Sequence, residues 1–435
     1  MLVVLLLLCI LFSLLTVREQ HPTGTAAADA LFEQLSATGA TDRNILIAAR
    51  MDHEDSLFAS TLRVKLSQNG FSQVDVILGD PSVLREVLAR RMDSSAPVDI
   101  IAATQSLAPI VRTIQSQLAA MNPAEVVAPQ SHLWPTFLLA DNLRNVANQI
   151  TVIAIIAIGM TMVIIAAGID LSVGSLIALS AVVTAWLIGS LGGENASAGA
   201  MLLGSVGGVL VCGATGAFSG LMITRFRIPP FIATLAMMQV AAGVAYIVSQ
   251  GRPIYQIPES FVLLGRGSDP LLHLPYAVIL MFALYAVAHV VMSRTTMGRY
   301  IYAVGGNSEA ARLAGIRVRW VLFGVYAVSG LLAGLGGVIM ASQLRSGAPT
   351  YGLSYELYVI AAVVVGGTSL MGGEGRILGT LIGAFVIGVV QNGMNLTNVE
   401  TYTQKVVLGL IILGAVLLDR LKHQGFRWRK QRLPV

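Results

Sequence analysis

Long apolar segments dominate the chain from residue 149 onward, and only short polar stretches separate them. Runs of about 20 apolar residues can cross the hydrocarbon core of a bilayer as helices, because a spanning backbone must satisfy its own polar groups. With one further apolar run at the start of the chain, the pattern predicts a polytopic α-helical membrane protein. About ten transmembrane helices are expected, at 2–17, 149–168, 171–191, 199–222, 229–248, 274–292, 321–340, 356–370, 377–395 and 404–419.

Residues 18–134 follow a different pattern, in which short apolar strings alternate with amphipathic stretches. Strands separated by helices of this length predict a parallel sheet with right-handed crossovers. We therefore expect a small α/β domain inserted after the first helix. Its predicted strands are 44–49, 74–78, 98–103 and 125–127, and its predicted helices are 55–69, 81–92 and 107–120.

Two phrases in this domain, VDIIAATQS (98–106) and PAEVVAP (123–129), resemble one lobe of a periplasmic sugar-binding protein. By that resemblance such proteins clamp a ligand between two lobes, whereas only one lobe is predicted here. Whether the domain binds a ligand or docks a binding protein stays open.

The first apolar segment, Leu2–Val17, is long enough only for a tilted span or a thinned bilayer. It fits an uncleaved anchor or a signal peptide. The run Ala26-Ala27-Ala28 is the one cleavage-like sequence and lies far from the apolar segment, which favours the anchor.

Basic residues cluster in the loop 293–320, at Arg225 and Arg227, and in the tail 420–435. Short loops rich in Arg and Lys face the cytoplasm. Alternating the spans outward from a cytoplasmic central loop puts all three clusters inside and the α/β domain outside. We therefore predict a multi-pass membrane protein with a cytoplasmic C-terminus. This topology accounts for the net charge of +5 without a nucleic-acid partner.

The loop 293–320 contains a short predicted helix. Asn307 or Ser308 is a suitable N-cap, Ala310–Ala314 continues the helix, and Gly315 ends it. A short basic helix across the inner mouth of a membrane bundle predicts a docking surface for a cytoplasmic partner.

Glycine-rich segments interrupt two apolar runs, at 168–174 and 366–373. Broken spans at corresponding positions of two halves indicate a faint inverted repeat, with the transport pathway at its centre. Asp170 in the first break either caps the following helix, as Ser172 also could, or contributes to gating and solute contact. The candidate translocation-path residues are Asp170, Ser172, Gly174, Thr368, Ser369, Gln391 and Asn392.

The sequence lacks the motifs of several catalytic and metal-binding functions. It contains neither G-x-x-x-x-G-K-[ST] nor G-x-S-x-G, so we expect no ATP hydrolysis or serine nucleophile within this chain. Cys9 and Cys212 lie in apolar runs and the histidines are scattered, so neither a metal nor another cofactor is predicted.

Three long motifs are similar to the permease subunits of ribose- and xylose-type ATP-binding-cassette importers. They are IAIGMTMVIIAAGIDLSVGSLIALSAVV (156–183), GRYIYAVGGNSEAARLAGIRV (298–318) and VVVGGTSLMGGEGRILGTLIGAFVIGVVQNGMNLTNV (363–399). The resemblance implies a ten-helix permease in the lipid of a bacterial inner membrane that pairs as a homodimer, with cytoplasmic ATPase subunits and a periplasmic sugar-binding protein as partners. It also implies ATPase coupling through Arg299, Gly305, Gly306, Asn307, Glu309, Ala310, Ala311, Arg312, Ala314 and Gly315.

The chain departs from the family's pattern by about 110 additional residues within 18–134. The leading hypothesis is the permease subunit of an ATP-driven importer for a monosaccharide or a similar small neutral solute. One alternative is a membrane sensor whose outer domain binds a ligand, and it predicts no ATPase partner. Another is a secondary carrier, which the shortage of ionisable residues within the spans disfavours.

Overall fold

The computed structural model describes residues 1–38, 42–92, 98–118 and 124–430. These residues form two compact units. One unit is Val17–Thr136, and the other combines Met1–Thr16 with the chain from Phe137 onward.

Helix α1 (Leu2–Leu15) begins the chain and belongs to the second unit. The α/β unit follows it. Its elements are β1 (Val17–Gln20), α2 (Gly24–Ala37), β2 (Ile45–Ala49), α3 (His53–Gln68), β3 (Val74–Leu78), α4 (Pro81–Met92), β4 (Ile100–Ala103), α5 (Ala108–Gln117), β5 (Glu125–Val127) and β6 (His132–Pro135).

A four-stranded parallel sheet in the order β3-β2-β4-β5 forms the centre of the α/β unit. Side chains of β2 alternate between two cores. Ile45 and Ile47 pack with α2 and α3 on one face, and Leu46 and Ala48 pack with α4 and α5 on the other. The predicted strands and the helices α3, α4 and α5 are confirmed. Helix α2, absent from the prediction, buries Leu31 in the first core.

The two ends of the α/β unit lie side by side. Strands β1 and β6 form an antiparallel ribbon in which Val17 pairs with Pro135 and Gln20 pairs with His132. Paired residues in such a ribbon have Cα atoms about 5 Å apart.

The second unit is helical. After α1 its helices are α6 (Ala140–Ile165), α7 (Val173–Ser190), α8 (Ala198–Arg225), α9 (Pro230–Ser249), α10 (Leu263–Arg266), α11 (Tyr276–Arg294), α12 (Thr296–Gly306), α13 (Ser308–Leu313), α14 (Val318–Leu344), α15 (Tyr355–Val365), α16 (Ile377–Leu396) and α17 (Thr401–Lys430).

Within the described residues, 7 helices are long and apolar enough to cross a membrane: α6, α7, α8, α9, α11, α14 and α16. Three shorter apolar helices lie at Leu2–Leu15, Tyr355–Val365 and Thr401–Leu417. The span predicted at 356–370 is wrong in its length, because α15 ends at Val365.

Helix α14 lies at the centre of this unit, packed against α6, α7 and α8. Small residues allow the close approach, among them Gly204 and Gly208 on α8 and Gly330 and Gly334 on α14. A Cβ on Gly208 would overlap the Thr184 hydroxyl on α7, and one on Gly334 would lie 2.8 Å from the Val209 Cα on α8.

Helix α1 packs in the same unit against α16. A side chain on Gly393 would overlap the ring of Phe12, and that ring lies 6.3 Å from the ring of Phe137.

Candidate functional site

The chain reverses sharply between α6 and α7. Helix α6 ends at Ile165, Ala167 adopts a left-handed conformation with φ of 61°, and α7 begins only at Val173. Gly168 is required in the reversal because a Cβ there would overlap the hydroxyl oxygen of Tyr326. The predicted interruption of the apolar run is therefore confirmed.

Asp170 lies inside this break with only 1% of its surface exposed. One carboxylate oxygen accepts hydrogen bonds from the Ser172 backbone N–H at 3.0 Å and from the Ser172 hydroxyl at 2.6 Å. The other accepts one from the Ser329 hydroxyl at 2.8 Å. Asp170, rather than Ser172, thus supplies the side-chain oxygen at the start of α7, where the helix dipole favours negative charge.

Two further helices hold the break in place. The Thr234 hydroxyl of α9 donates to the Ile169 carbonyl at 3.3 Å, and Ser329 lies near the middle of α14. Tyr326, one turn before Ser329, has a buried hydroxyl without a hydrogen-bond partner among the residues that the structure describes. The break is therefore attached to α14 by a buried polar contact and faces an unsatisfied donor.

A second irregular segment, residues 345–354, meets the start of α7. It contains left-handed Arg345 and Ser354 and ends at α15. A Cβ on Gly174 would overlap a carboxylate oxygen of Glu356 and lie 2.7 Å from the Gly352 carbonyl oxygen. The N-terminal ends of α7 and α15 therefore meet, an arrangement that broken helices use around solutes in transporters.

The predicted glycine-rich segment at 366–373 contacts the α6–α7 break at its α6 end. The Gly373 N–H donates to the Ile165 carbonyl at 2.8 Å. Thr368 and Ser369 are both buried here, and the Thr368 hydroxyl has no partner among the described atoms. The two predicted breaks are thus in direct contact, although Thr368 and Ser369 form no hydrogen bond with Asp170.

The short helix α13 has the predicted cap. The Asn307 side chain accepts a hydrogen bond from the Ala310 N–H at 3.0 Å, and Gly315 follows the helix with φ of 86°. Ala311 is buried against the bundle, whereas Ala310, Arg312 and the following residues are exposed. Glu309 and Arg312 form an ion pair of 2.9 Å on the exposed face of this helix. Arg299, Ala314 and Gly315 are exposed on this side as well.

Gly305 joins this exposed helix to the buried break. A Cβ on Gly305 would overlap the Ile165 carbonyl oxygen and lie 2.8 Å from the Gly373 nitrogen. The next residue, Gly306, has open space around the same position. Helix α12 therefore ends in direct backbone contact with both glycine-rich breaks.

A cavity of about 570 Å³ opens beside this junction. Its walls come from the reversal after α6, the turn between α8 and α9, and the end of α12. Polar groups on it include Arg227, Asn307, Ser308 and Tyr326.

Gln391 and Asn392 lie elsewhere, in the last turns of α16. Asn392 exchanges two hydrogen bonds with Asn142 near the start of α6, at 3.0 and 2.9 Å. The structure does not bring either residue to Asp170. Asn392 instead links two helices.

Sequence reasoning missed three residues of this site. Glu356 could have been found, because it is an acidic residue at the start of a predicted span. Ser329 and Tyr326 gave no signal, since isolated Ser and Tyr residues are ordinary in membrane helices.

Residues 142–416 match the family model described as the permease component of the branched-chain amino acid transport system. The α/β unit lies outside that match. No solved structure matches the chain.

Three curated relatives are sugar permeases. A ribose import permease protein of Escherichia coli K12 is 44% identical over 301 residues, covering 68% of this chain and 91% of that protein. A D-allose transport system permease protein of the same strain is 38% identical, covering 68% and 89%. An L-arabinose transport system permease protein of that strain is 38% identical, covering 67% and 87%.

Proposed function

The chain belongs to the family of transport-system permease components described for branched-chain amino acids, and we propose that it imports a monosaccharide as the membrane subunit of an ATP-driven transporter. It is a multi-pass permease subunit of an inner membrane and not an enzyme. The sensor alternative is not supported, because the relatives of this chain include import permeases.

The observation that carries the choice of substrate is the set of sugar permeases among the relatives, named for ribose, allose and arabinose. The chemistry of the break supports it. The hydroxyl groups of Ser172 and Ser329 donate to the Asp170 carboxylate, and the Tyr326 hydroxyl lies beside Gly168 in the same break. Such groups suit a neutral polyol better than a zwitterionic amino acid, which requires opposite charges.

We place the translocation path along the α6–α7 break and the start of α15. Asp170, Ser172 and Gly174 contribute to its wall, and Thr368 and Ser369 lie at its cytoplasmic end. Asp170 fixes the break to α14 through Ser329, which gives it a role in gating in addition to its capping bond. We extend the path along α16, so that Gln391 and Asn392 contribute near the C-terminal end of that helix.

The proposed architecture has ten membrane helices and an inverted repeat. It counts the 7 long helices together with α1, α15 and α17, whose apolar parts are shorter. The packing of Phe12 on Gly393 supports α1 as a retained helix rather than a cleaved signal. The α/β unit is extracytoplasmic and the C-terminus cytoplasmic, as the basic clusters of the sequence favour.

Helix α13 is the proposed contact with a cytoplasmic ATPase. Its cap, its exposed ion pair and its one buried side chain make it a rigid projection from the bundle. The backbone contacts of Gly305 connect it to the break at Ile165 and Gly373. Motion of an ATPase bound here would reach the translocation path without a long intervening loop. A periplasmic binding protein and a second permease copy complete the proposed assembly.

Affinity purification from gently solubilised membranes of the native host tests this contact. We expect a stoichiometric ATPase to co-purify with the wild type and to be lost with Arg312→Glu, which reverses charge on the exposed face of α13. Arg319→Glu is the matched control, because Arg319 is exposed at the start of α14 and lies outside α13. Equal ATPase recovery from the wild type and Arg312→Glu would contradict the assignment.

A further inference from the structure

An apolar groove runs along one side of the membrane unit, between α6, α11, α12 and α14. Its volume is about 280 Å³. On α14 it extends from Val321 to Leu332, a rise of about 16 Å along the helix. That distance is roughly one leaflet of a hydrocarbon core that is about 30 Å thick.

The lining of the groove is apolar throughout, with side chains such as Ile158, Met162 and Leu284. Val287 is 61% exposed, so the groove is open to the surroundings of the helix bundle. A sugar or another polar solute would find no hydrogen-bond partner here and would lose its hydration. The lining therefore fits a hydrocarbon chain.

Arginines extend two sides of the groove at its end near α13. The groove-lining stripe of α11 ends with Val291, and Arg294 lies one turn further on the same face. The stripe of α14 begins at Val321, and Arg317 lies one turn before it. Both arginines are exposed, and neither forms an ion pair with any residue that the structure describes.

We propose that this groove binds one phospholipid with an anionic headgroup. An acyl chain occupies the groove, and Arg294 and Arg317 hold the phosphate region. Basic pockets between membrane helices on the cytoplasmic side favour such headgroups. Trp320, which is 68% exposed beside Arg319, is suited to the same interfacial layer. The occupied groove would brace α12 and α14, the two helices that flank α13.

Native mass spectrometry of the purified full chain tests this site, with dioleoyl phosphatidylglycerol and dioleoyl phosphatidylcholine added at equal concentration. We expect one retained phosphatidylglycerol and little phosphatidylcholine. Arg294→Gln and Arg317→Gln should each weaken phosphatidylglycerol binding about fivefold. Arg252→Gln, at an exposed arginine in the turn after α9, should change nothing.

Gly324→Leu tests the groove itself. Gly324 lines it, and a Cβ there meets no atom within 4 Å, so the leucine fills the groove without a backbone clash. Gly243→Leu on α9 is the matched control, because Gly243 is exposed and has equally open space. We expect lipid retention to fall only with Gly324→Leu.

Three results would overturn the proposal. The first is equal retention of both lipids, which indicates ordinary membrane contact. The second is equal loss with Gly324→Leu and Gly243→Leu. The third is a lipid-free dimer that only Gly324→Leu dissociates, which identifies a second copy as the occupant. The melting temperature of the wild type with each lipid is the independent readout, and only phosphatidylglycerol should raise it.

Discussion

Asp170 is buried, and each of its two carboxylate oxygens accepts at least one hydrogen bond. An unpaired carboxylate in this position would be unfavourable by several kcal/mol, but Ser172 and Ser329 donate to both of its oxygens. The bond to the Ser172 N–H orders the start of α7. The bond to Ser329 reaches a different helix and is therefore the one that a conformational change can break.

Asp170→Asn should separate these two roles. The amide oxygen can still accept from the Ser172 N–H, whereas the bond from Ser329 loses its charged acceptor. We expect uptake per folded molecule to fall about tenfold, the effect of one hydrogen bond to a charged group, with most of the protein still folded. Transport assays of these preparations measure uptake per folded molecule, and thermal melting of the same preparations measures the folded fraction.

Asp141→Asn is the control for that change, since Asp141 is an exposed carboxylate paired with Arg144 at 2.9 Å. Unaltered uptake per molecule with Asp170→Asn, together with a reduced folded fraction, would leave Asp170 only the capping role.

Gly305 and Gly306 form a matched pair for the junction below the break. Gly305→Ala forces a methyl group onto the Ile165 carbonyl, while the same change at Gly306 meets open space. We expect Gly305→Ala to destabilise the protein by about 1–3 kcal/mol or more, and Gly306→Ala to have little effect. Melting temperatures in detergent measure the difference. Similar values for the two variants would contradict the close contact seen at Gly305.

The sequence was informative about Asp170 because an acidic residue between apolar runs stands out by itself. Its partner Ser329 could not be predicted, since the two residues are 159 positions apart and serine carries no comparable signal. The contact between Glu356 and Gly174 could not be predicted from the sequence for the same reason. Contacts between distant segments depend on packing that a single sequence does not encode locally.

At the scale of elements, the existence of the long apolar helices was predictable, whereas helix length and the amphipathic helix α2 were not. Seven apolar runs became helices long enough to span a membrane. The run at 356–370 did not, because the chain leaves the helix at Gly366 and Gly367, where φ reaches 91°. An apolar run that ends in two glycines has the same hydropathy as a continuous helix, so hydropathy could not set its end.

Helix α13 depends on its cap more than a longer helix would. It comprises only 6 residues, and the Asn307 side chain satisfies one of its free N–H groups. Asn307→Ala should destabilise α13 by about 1 kcal/mol and reduce ATPase recovery in the purification described above.

Asn307→Asp is the conservative comparison, because its carboxylate can accept the same bond from Ala310. Recovery of the ATPase should be near the wild-type level with Asn307→Asp. If both variants bind the ATPase as the wild type does, the shape of α13 is not what the partner recognises.

At the scale of the molecule, the α/β unit can be removed with little disturbance to the chain around it. Val17 and Pro135 are paired neighbours, so a short Gly-Ser link can replace residues 18–134. We expect this shortened protein to reach the membrane and to retain the melting temperature of the helical unit.

Uptake by the shortened protein then reports what the unit contributes. Loss of uptake from a folded, ATPase-bound protein would assign the α/β unit to solute delivery or to docking of a binding protein. A failure of the shortened chain to accumulate in the membrane would contradict the independence of the two units.

Solute uptake by the native host after deletion of this gene tests most directly whether the chain imports a sugar. Labelled D-ribose, D-allose, L-arabinose and L-leucine should be compared in the deletion strain and after restoring the wild type or Asp170→Asn. We expect ATP-dependent uptake of at least one sugar to be lost in the deletion strain, restored by the wild type and poorly restored by Asp170→Asn, with L-leucine uptake unchanged. Loss of L-leucine uptake with normal uptake of all three sugars would contradict it.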